Sequence, residues 1–350
     1  MAMQFNLNAN LKPFHTFSMD QTCDALVEIT SLEELIEVYQ SEEWMNKPKL
    51  LLGKGSNVLF CEHFQGVVVV NRLLGKSLQE DNEHYRIHVK GGEDWPSLVE
   101  WTVMKGIGGL ENLAMIPGCA GSAPIQNIGA YGVEFKDVCE YVDFLCFDDM
   151  NVRRLSVKEC NFGYRDSIFK HDLYERGVVV GIGLKLTKAW QACSHYGPLK
   201  ALSTSELTPQ GVFAAVCDIR KNKLPDPALQ GNAGSFFKNP EISRDHFDRL
   251  VDSFPDIVGY PVGDKVKVAA GWLIDHSGFK GKIVRGAQVH PKQALVLINQ
   301  NNAKPCDVIE LAISIRNAVL ERYEIALEHE VRFIGACRET NLLKILEGNK

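Results

Sequence analysis

Three short polar segments, far apart in the chain, carry side chains able to bind an anion, share a proton and release one. They are Tyr164-Arg165-Asp166-Ser167 following Asn-Phe-Gly, Gly234-Ser235 within GNAGSFFKNP, and Glu330 at the start of HEVRFIG. A guanidinium offers a permanently charged fork to a carboxylate, a hydroxyl can yield a proton to a strong base, and a carboxyl group accepts or, when protonated, donates. Each has a plain structural use as well: Arg165 can pair with Asp166, Ser235 can serve a glycine turn, and Glu330 can be an exposed strand end. Ser235 is not the nucleophile of a hydrolase elbow, because Ala233 and Phe237 stand where G-x-S-x-G requires glycine.

A fourth segment, Gly53-Lys54-Gly55-Ser56-Asn57-Val58, directly follows an apolar run, so its successive N–H groups can form an anion-binding concavity free of Cβ obstruction. It is not the dinucleotide fingerprint, since Val58 occupies the place of the third glycine. Nor is GKS at Gly75 a P-loop, since Val70 replaces the earlier glycine. Taken alone, GKGSN is equally a tight turn. Arg220, Lys221 and Lys223 in DIRKNKLPDP make a local cationic cluster, suited to one phosphorylated ligand or to a solvated helix end.

These groups need elements to hold them. Short β-rich runs recur in the first half: KLLLG before Gly53, GVVVVNRL from Gly66, YRIHVKGG from Tyr85, YVDFLCF from Tyr141 and GVVVGIGLKL from Gly177. Between two of them, WPSLVEWTVMKG places Trp95, Leu98, Val99 and Val103 on one helical face that Gly106 ends. From Gly106 to Gly132 there are seven glycines and two prolines without a sustained period. Leu110, Leu113, Met115, Ile116, Ile125 and Ile128 make this stretch too apolar for a linker, so it reads as a binding segment. Thr208 and Pro209 open a helix that runs to a boundary at Pro225 and Pro227. A second α/β lobe follows, with a strand in ALVLIN, a long helix in CDVIELAISIRNAVLERY and a last strand in HEVRFIG.

At 350 residues with 45% hydrophobic content, two or three domains are expected. The net charge of -6 argues against nucleic acid as a partner. The opening residues lack a signal pattern and no apolar run is long enough to span a membrane, so a cytoplasmic location is expected. Ten scattered cysteines without a CxxC pair suggest neither zinc nor disulfides but buried reduced thiols, and no metal site is expected.

GKGSNVLF, ENLAMIPGCAGSAPIQNIGAYGVE, FGYRDSIFK, GNAGSFFKNP, AAGWLID, ALVLIN and EVRFIG occur together and in this order. The set resembles the UDP-N-acetylenolpyruvoylglucosamine reductases (UDP-N-acetylmuramate dehydrogenases) over nearly the whole chain. That resemblance implies an α+β fold: a two-lobed FAD-binding region of the PCMH or vanillyl-alcohol-oxidase type and a C-terminal α/β substrate-binding domain. The implied limits are 1–72 for the first lobe, with 329–350 returning to it, 73–224 for the second and 225–328 for the substrate domain. It further implies bound, non-covalent FAD, NADPH as co-substrate, a monomer, and a UDP-sugar enolpyruvyl ether as substrate in peptidoglycan precursor synthesis.

By matching segments, the resemblance implies that Gly53, Gly55, Ser56 and Asn57 hold the FAD pyrophosphate. Pro117, Gly118, Gly121, Ser122, Gln126, Asn127 and Gly129 would line the isoalloxazine and its tail. Arg165, Ser235 and Glu330 match the catalytic residues; Tyr164, Tyr196, Lys223, Asn239 and Tyr260 match substrate contacts. In the implied reaction a hydride from flavin N5 reaches the enolpyruvyl group and Ser235 supplies the proton. Arg165 and Glu330 stabilise the enolate-like charge, with Glu330 donating only if it is protonated or bridged by water. The alternatives are a flavin oxidase of the same architecture, or a nucleotide-sugar sensor, for which a proton donor would be superfluous.

Overall fold

The computed structural model describes residues 3–348, and the chain divides into two compact units. The first comprises the residues up to Asn6, Ala25–Lys54 and Val67–Asn222; the second comprises Leu7–Asp24, Gly55–Gly66 and the residues from Lys223 onward.

The strand Phe64–Asn71, whose β-branched run from Val67 belongs to the first unit, lies between Cys23–Ile29 and Lys49–Leu52 in one sheet. Lys49–Leu52 pairs with it in parallel, from Lys49 opposite Val67 to Leu52 opposite Val70. Val67, Val69, Ala25 and Val27 are buried with Leu35 and Val38 of the helix Leu32–Gln40, so the uninterrupted apolar composition is that of a strand enclosed on both faces. A second, antiparallel sheet of five strands has the order Asn151–Ser156, Cys139–Cys146, Gly177–Thr187, His84–Lys90, Lys76–Glu80. The helix Trp95–Met104 buries Trp95, Leu98, Val99 and Val103, the face its spacing predicts. Asp94 caps it by accepting from the Ser97 N–H at 3.0 Å. The helix Pro209–Lys223 begins where Thr208 accepts the Gly211 N–H at 3.0 Å.

The second unit has a four-stranded sheet in the order Asn232–Ser235, Val296–Asn299, Ala287–Val289, Ile283–Val284. The helix Pro305–Tyr323 buries Val308, Leu311, Ala312, Ile315 and Val319 in the core of this unit. A smaller sheet pairs Arg332–Ile334 in parallel with Val58–Phe60. The cysteines are all free thiols, but the expectation that they are buried needs correcting at Cys306 and Cys337, which are exposed. Both lie where the chain has turned away from a buried face, one in the first turn of a helix and the other in a loop. Among the described residues no helix is long and apolar enough to cross a membrane, and no cluster of His, Cys, Asp and Glu suits a metal ion.

Candidate active site

In the first unit the glycine-rich segment lies flat on neighbouring backbone. Gly121 donates its N–H to the Gly91 carbonyl at 2.8 Å, and a Cβ on it would sit 2.9 Å from the carbonyls of Gly91 and Val179. Gly53 abuts the Cys119 thiol so closely that a side chain there would collide with it. Burial pushes that thiol's pKa up. The Ser122 hydroxyl closes a tight turn, donating to the Cys119 carbonyl at 2.7 Å and accepting the Cys119 N–H at 3.1 Å. Pro117 and Ser122 are exposed, Gln126 and Gly129 half-buried, and Gly118 buried.

Asn127 has a setting that the sequence did not reveal. It is fully buried at φ 44°, and its carboxamide donates to Glu134 Oε2 and to the Gly163 carbonyl, each at 2.9 Å, while accepting the Lys136 N–H at 2.9 Å. The side chain is thereby committed to the protein and holds the segment in shape. Its bond to Gly163 fixes the turn that carries Arg165. Gly163 and Asp166 exchange N–H and carbonyl across that turn, Ser167 Oγ donates to the Ile125 carbonyl at 2.6 Å, and Arg165 itself sits at φ 52°. The Arg165 guanidinium donates to the Gly129 carbonyl at 2.9 Å, beside the Tyr164 ring. The Asp166 carboxylate is engaged by His171 at 2.8 Å.

Arg220 ends the same neighbourhood. It donates to the Met115 carbonyl at 3.2 Å and pairs with the Tyr131 phenol, but its buried Nε has no hydrogen-bond partner among the described residues. Burial pulls its pKa below the usual value. A buried cationic donor left in this state suits an acceptor-rich ligand. Tyr196, exposed, flanks Gly132 at the end of the glycine-rich segment, and Lys223 is exposed at the close of its helix.

In the second unit Gly55 sits at φ 60° against Phe14 and His15, where any Cβ would strike backbone. His15 is 3% exposed; burial brings its pKa down to about 4, and its Nδ1 has no hydrogen-bond partner among the described residues. Asn57 Nδ2 donates to the Glu330 carbonyl at 3.2 Å and the Asn57 carbonyl accepts the Arg332 N–H at 3.0 Å. Glu330 in turn donates its N–H to the Phe236 carbonyl at 2.8 Å, one residue beyond Ser235. Ser235 is paired with Val296 across the sheet and follows Gly234, whose φ of 72° is held by its N–H bond to Asn232 Oδ1 at 2.9 Å. Asn57, Glu330 and Ser235 are therefore brought onto adjoining backbones within one unit. Lys238 reaches Glu328 at 3.5 Å, and the Asn239 side chain accepts the Ala270 N–H at 2.9 Å, capping a helix. Tyr260, exposed, lies on the hairpin formed by Gly259–Val262 and Lys265–Val268.

Comparison with known proteins gives this arrangement its class. A family model described as an FAD binding domain matches residues 23–156, and one described as the C-terminal domain of UDP-N-acetylenolpyruvoylglucosamine reductase matches residues 226–334. The chain is thus an FAD-dependent oxidoreductase of α+β fold. It is 60% identical over 343 residues to the UDP-N-acetylenolpyruvoylglucosamine reductase of Vibrio vulnificus, covering 98% of this chain and 99% of that one. With the enzyme of the same name from Pasteurella multocida, identity is 54% over 326 residues, covering 93% and 96% of the two chains. A crystal structure of UDP-N-acetylenolpyruvylglucosamine reductase from Thermus caldophilus superposes with a TM-score of 0.67 at 25% identity, covering 95% of this chain and 99% of that one. The chain belongs to the UDP-N-acetylenolpyruvoylglucosamine reductase family.

Proposed function

We propose that this chain uses NADPH to reduce UDP-N-acetyl-3-O-(1-carboxyvinyl)-glucosamine to UDP-N-acetylmuramate, a step of peptidoglycan precursor synthesis in the cytoplasm. The observation that supports the residue assignment is the backbone junction of Asn57 with Glu330 and of Glu330 with the residue after Ser235, beside the Gly55–Asn57 loop. Gly53, Gly55, Ser56 and Asn57 would hold the pyrophosphate of FAD, with Pro117, Gly118, Gly121, Ser122, Gln126, Asn127 and Gly129 along the rest of the cofactor. When bound, FAD supplies the hydride from N5, having received it from NADPH.

Everything else falls to side chains. Arg165 binds the enolpyruvyl carboxylate and stabilises the charge that grows beside it, a task for a fixed cation whose backbone is already locked. Glu330, held by two backbone bonds, shares that charge through a hydrogen bond when protonated. Ser235 Oγ–H gives its proton to the substrate carbon bearing the ether oxygen. A hydroxyl is a weak acid, but the acceptor is a carbanion, and Lys238 lies three residues away to balance the transient alkoxide. Tyr164, Tyr196, Lys223, Asn239 and Tyr260 contact the nucleotide sugar. Arg220, with its orphaned donor, adds positive charge for an anionic group. The domain limits 1–72 with 329–350, 73–224 and 225–328 belong to this reading.

The test is a pair of half-reactions. Ser235→Ala is expected to bleach anaerobically with NADPH at the normal rate, while reoxidation by the enolpyruvyl nucleotide sugar falls by roughly 10²- to 10⁴-fold. Normal reoxidation by that variant removes Ser235 from the role.

A further inference from the structure

Thr16 has no place in the reading above, yet all three of its polar groups are used on segments that do. Its N–H donates to the Gly55 carbonyl at 3.0 Å, its carbonyl accepts the Asn232 N–H at 2.9 Å, and its hydroxyl donates to the Asn232 carbonyl at 2.6 Å. Gly55 lies in the cofactor loop; Asn232 opens the strand that ends at Ser235. The flanking residues stiffen the link. Phe17 and Met19 are buried, His15 Nε2 bonds to the Met19 carbonyl at 3.1 Å, and Asn299 Nδ2 donates to the carbonyls of Phe17 and Ser18 at 3.1 and 3.3 Å. Asn299 ends the strand paired with Asn232–Ser235, so both strands are tied to the same short turn.

We propose that Thr16 is a positioning residue that sets the spacing between the FAD pyrophosphate loop and the proton donor Ser235. The proposal rests on the assignment of Ser235 as the acid. Proton transfer demands heavy-atom distances of about 2.6–3.2 Å, and displacement by about an ångström costs on the order of a hundredfold in rate. A link that touches both loop and strand must therefore register in cofactor affinity and in protonation together.

Thr16→Val keeps the shape and removes the hydroxyl; Thr16→Ser restores it. In Thr16→Val we expect FAD to bind the apoprotein about threefold or more weaker by fluorescence titration. Reoxidation of the reduced, FAD-saturated enzyme by the enolpyruvyl nucleotide sugar should slow about tenfold with a larger solvent deuterium isotope effect. Anaerobic reduction by NADPH should stay within about twofold, and Thr16→Ser should recover both losses. A lowered melting temperature with unchanged FAD affinity and isotope effect would overturn the proposal, as would a change in only one of those two. If Thr16→Val does not fold, Thr16→Ser and Thr16→Ala are compared by the same criteria. Ser235→Ala separates the two ideas: normal reoxidation there defeats the acid assignment itself, whereas blocked reoxidation there with an unaffected Thr16→Val defeats only the link.

Discussion

Arg165 is carried on a turn whose backbone has left the common regions, at φ 52°, whereas Ser235 and Glu330 ride on extended segments joined by main-chain bonds. In the first region the clamps are side-chain bonds between distant parts of the sequence, with Asn127 reaching 36 residues to Gly163 and Ser167 reaching 42 residues to Ile125. In the second the asparagine that shapes the turn is local, Asn232 accepting the N–H two residues on and donating to the carbonyls of Gln230 and Pro225, two and seven residues back. A side-chain clamp across a long loop can hold a charged fork in an uncommon conformation, but it fails when one residue is changed. A ladder of main-chain bonds tolerates side-chain substitution and positions small groups.

The sharpest way to break this contrast is to delete the two asparagines. Asn127→Ala removes three bonds of 2.9 Å that tie distant segments together, so a loss of about 4 kcal/mol is expected, against about 2 kcal/mol for Asn232→Ala, whose three bonds reach only Pro225, Gln230 and Gly234. Urea unfolding measures both; equal losses would mean that the two mounts do not differ as described.

Acid tests the second region from beneath its loop. His15 protonates near 6.5 when unfolded but only at about 4 when folded, so the unfolded state binds more protons in between. Stability is full above pH 6.5 and falls as the pH drops toward 4, by about 3 kcal/mol from this group. His15→Asn should flatten the pH dependence of the urea midpoint in that window, and an unchanged slope would locate the acid sensitivity elsewhere. The smallest effect is expected at Cys306→Ser and Cys337→Ser, each within about 0.5 kcal/mol of the parent, because both thiols are exposed. A larger loss at Cys337 would show that the loop after Ile334 braces the strand next to Asn57.

How much of this was legible in the sequence follows the same division. Strands such as GVVVV and helices such as WPSLVEWTVM were readable because burial on one or both faces imposes a period or a run. The Asn-Ala-Gly-Ser turn before Phe236 was also readable in kind, since asparagine and glycine at that spacing favour it. The supporting role of Asn127 was not, because its partners Glu134, Lys136 and Gly163 come together only after folding. The left-handed Arg165 gave no signal either, as nothing in FGYRDS distinguishes it from an ordinary turn residue. Thr16 and His15 were invisible for a third reason: they act through contact with Gly55, Asn232 and Met19, and no motif marks them.

The parallel pairing of Arg332–Ile334 with Val58–Phe60 joins one of the earliest parts of the chain to one of the latest. During synthesis from the N-terminus the edge at Val58–Phe60 must wait, hydrogen-bond groups bare, until almost the whole polypeptide has emerged. Polypeptide that is prematurely terminated before Glu330 lacks that carboxyl group and also leaves that edge permanently open to pairing with another molecule. Under the role proposed for Glu330, protection of that edge and chemistry depend on the same few C-terminal residues, and a nascent chain acquires its carboxyl group and its protective neighbour together.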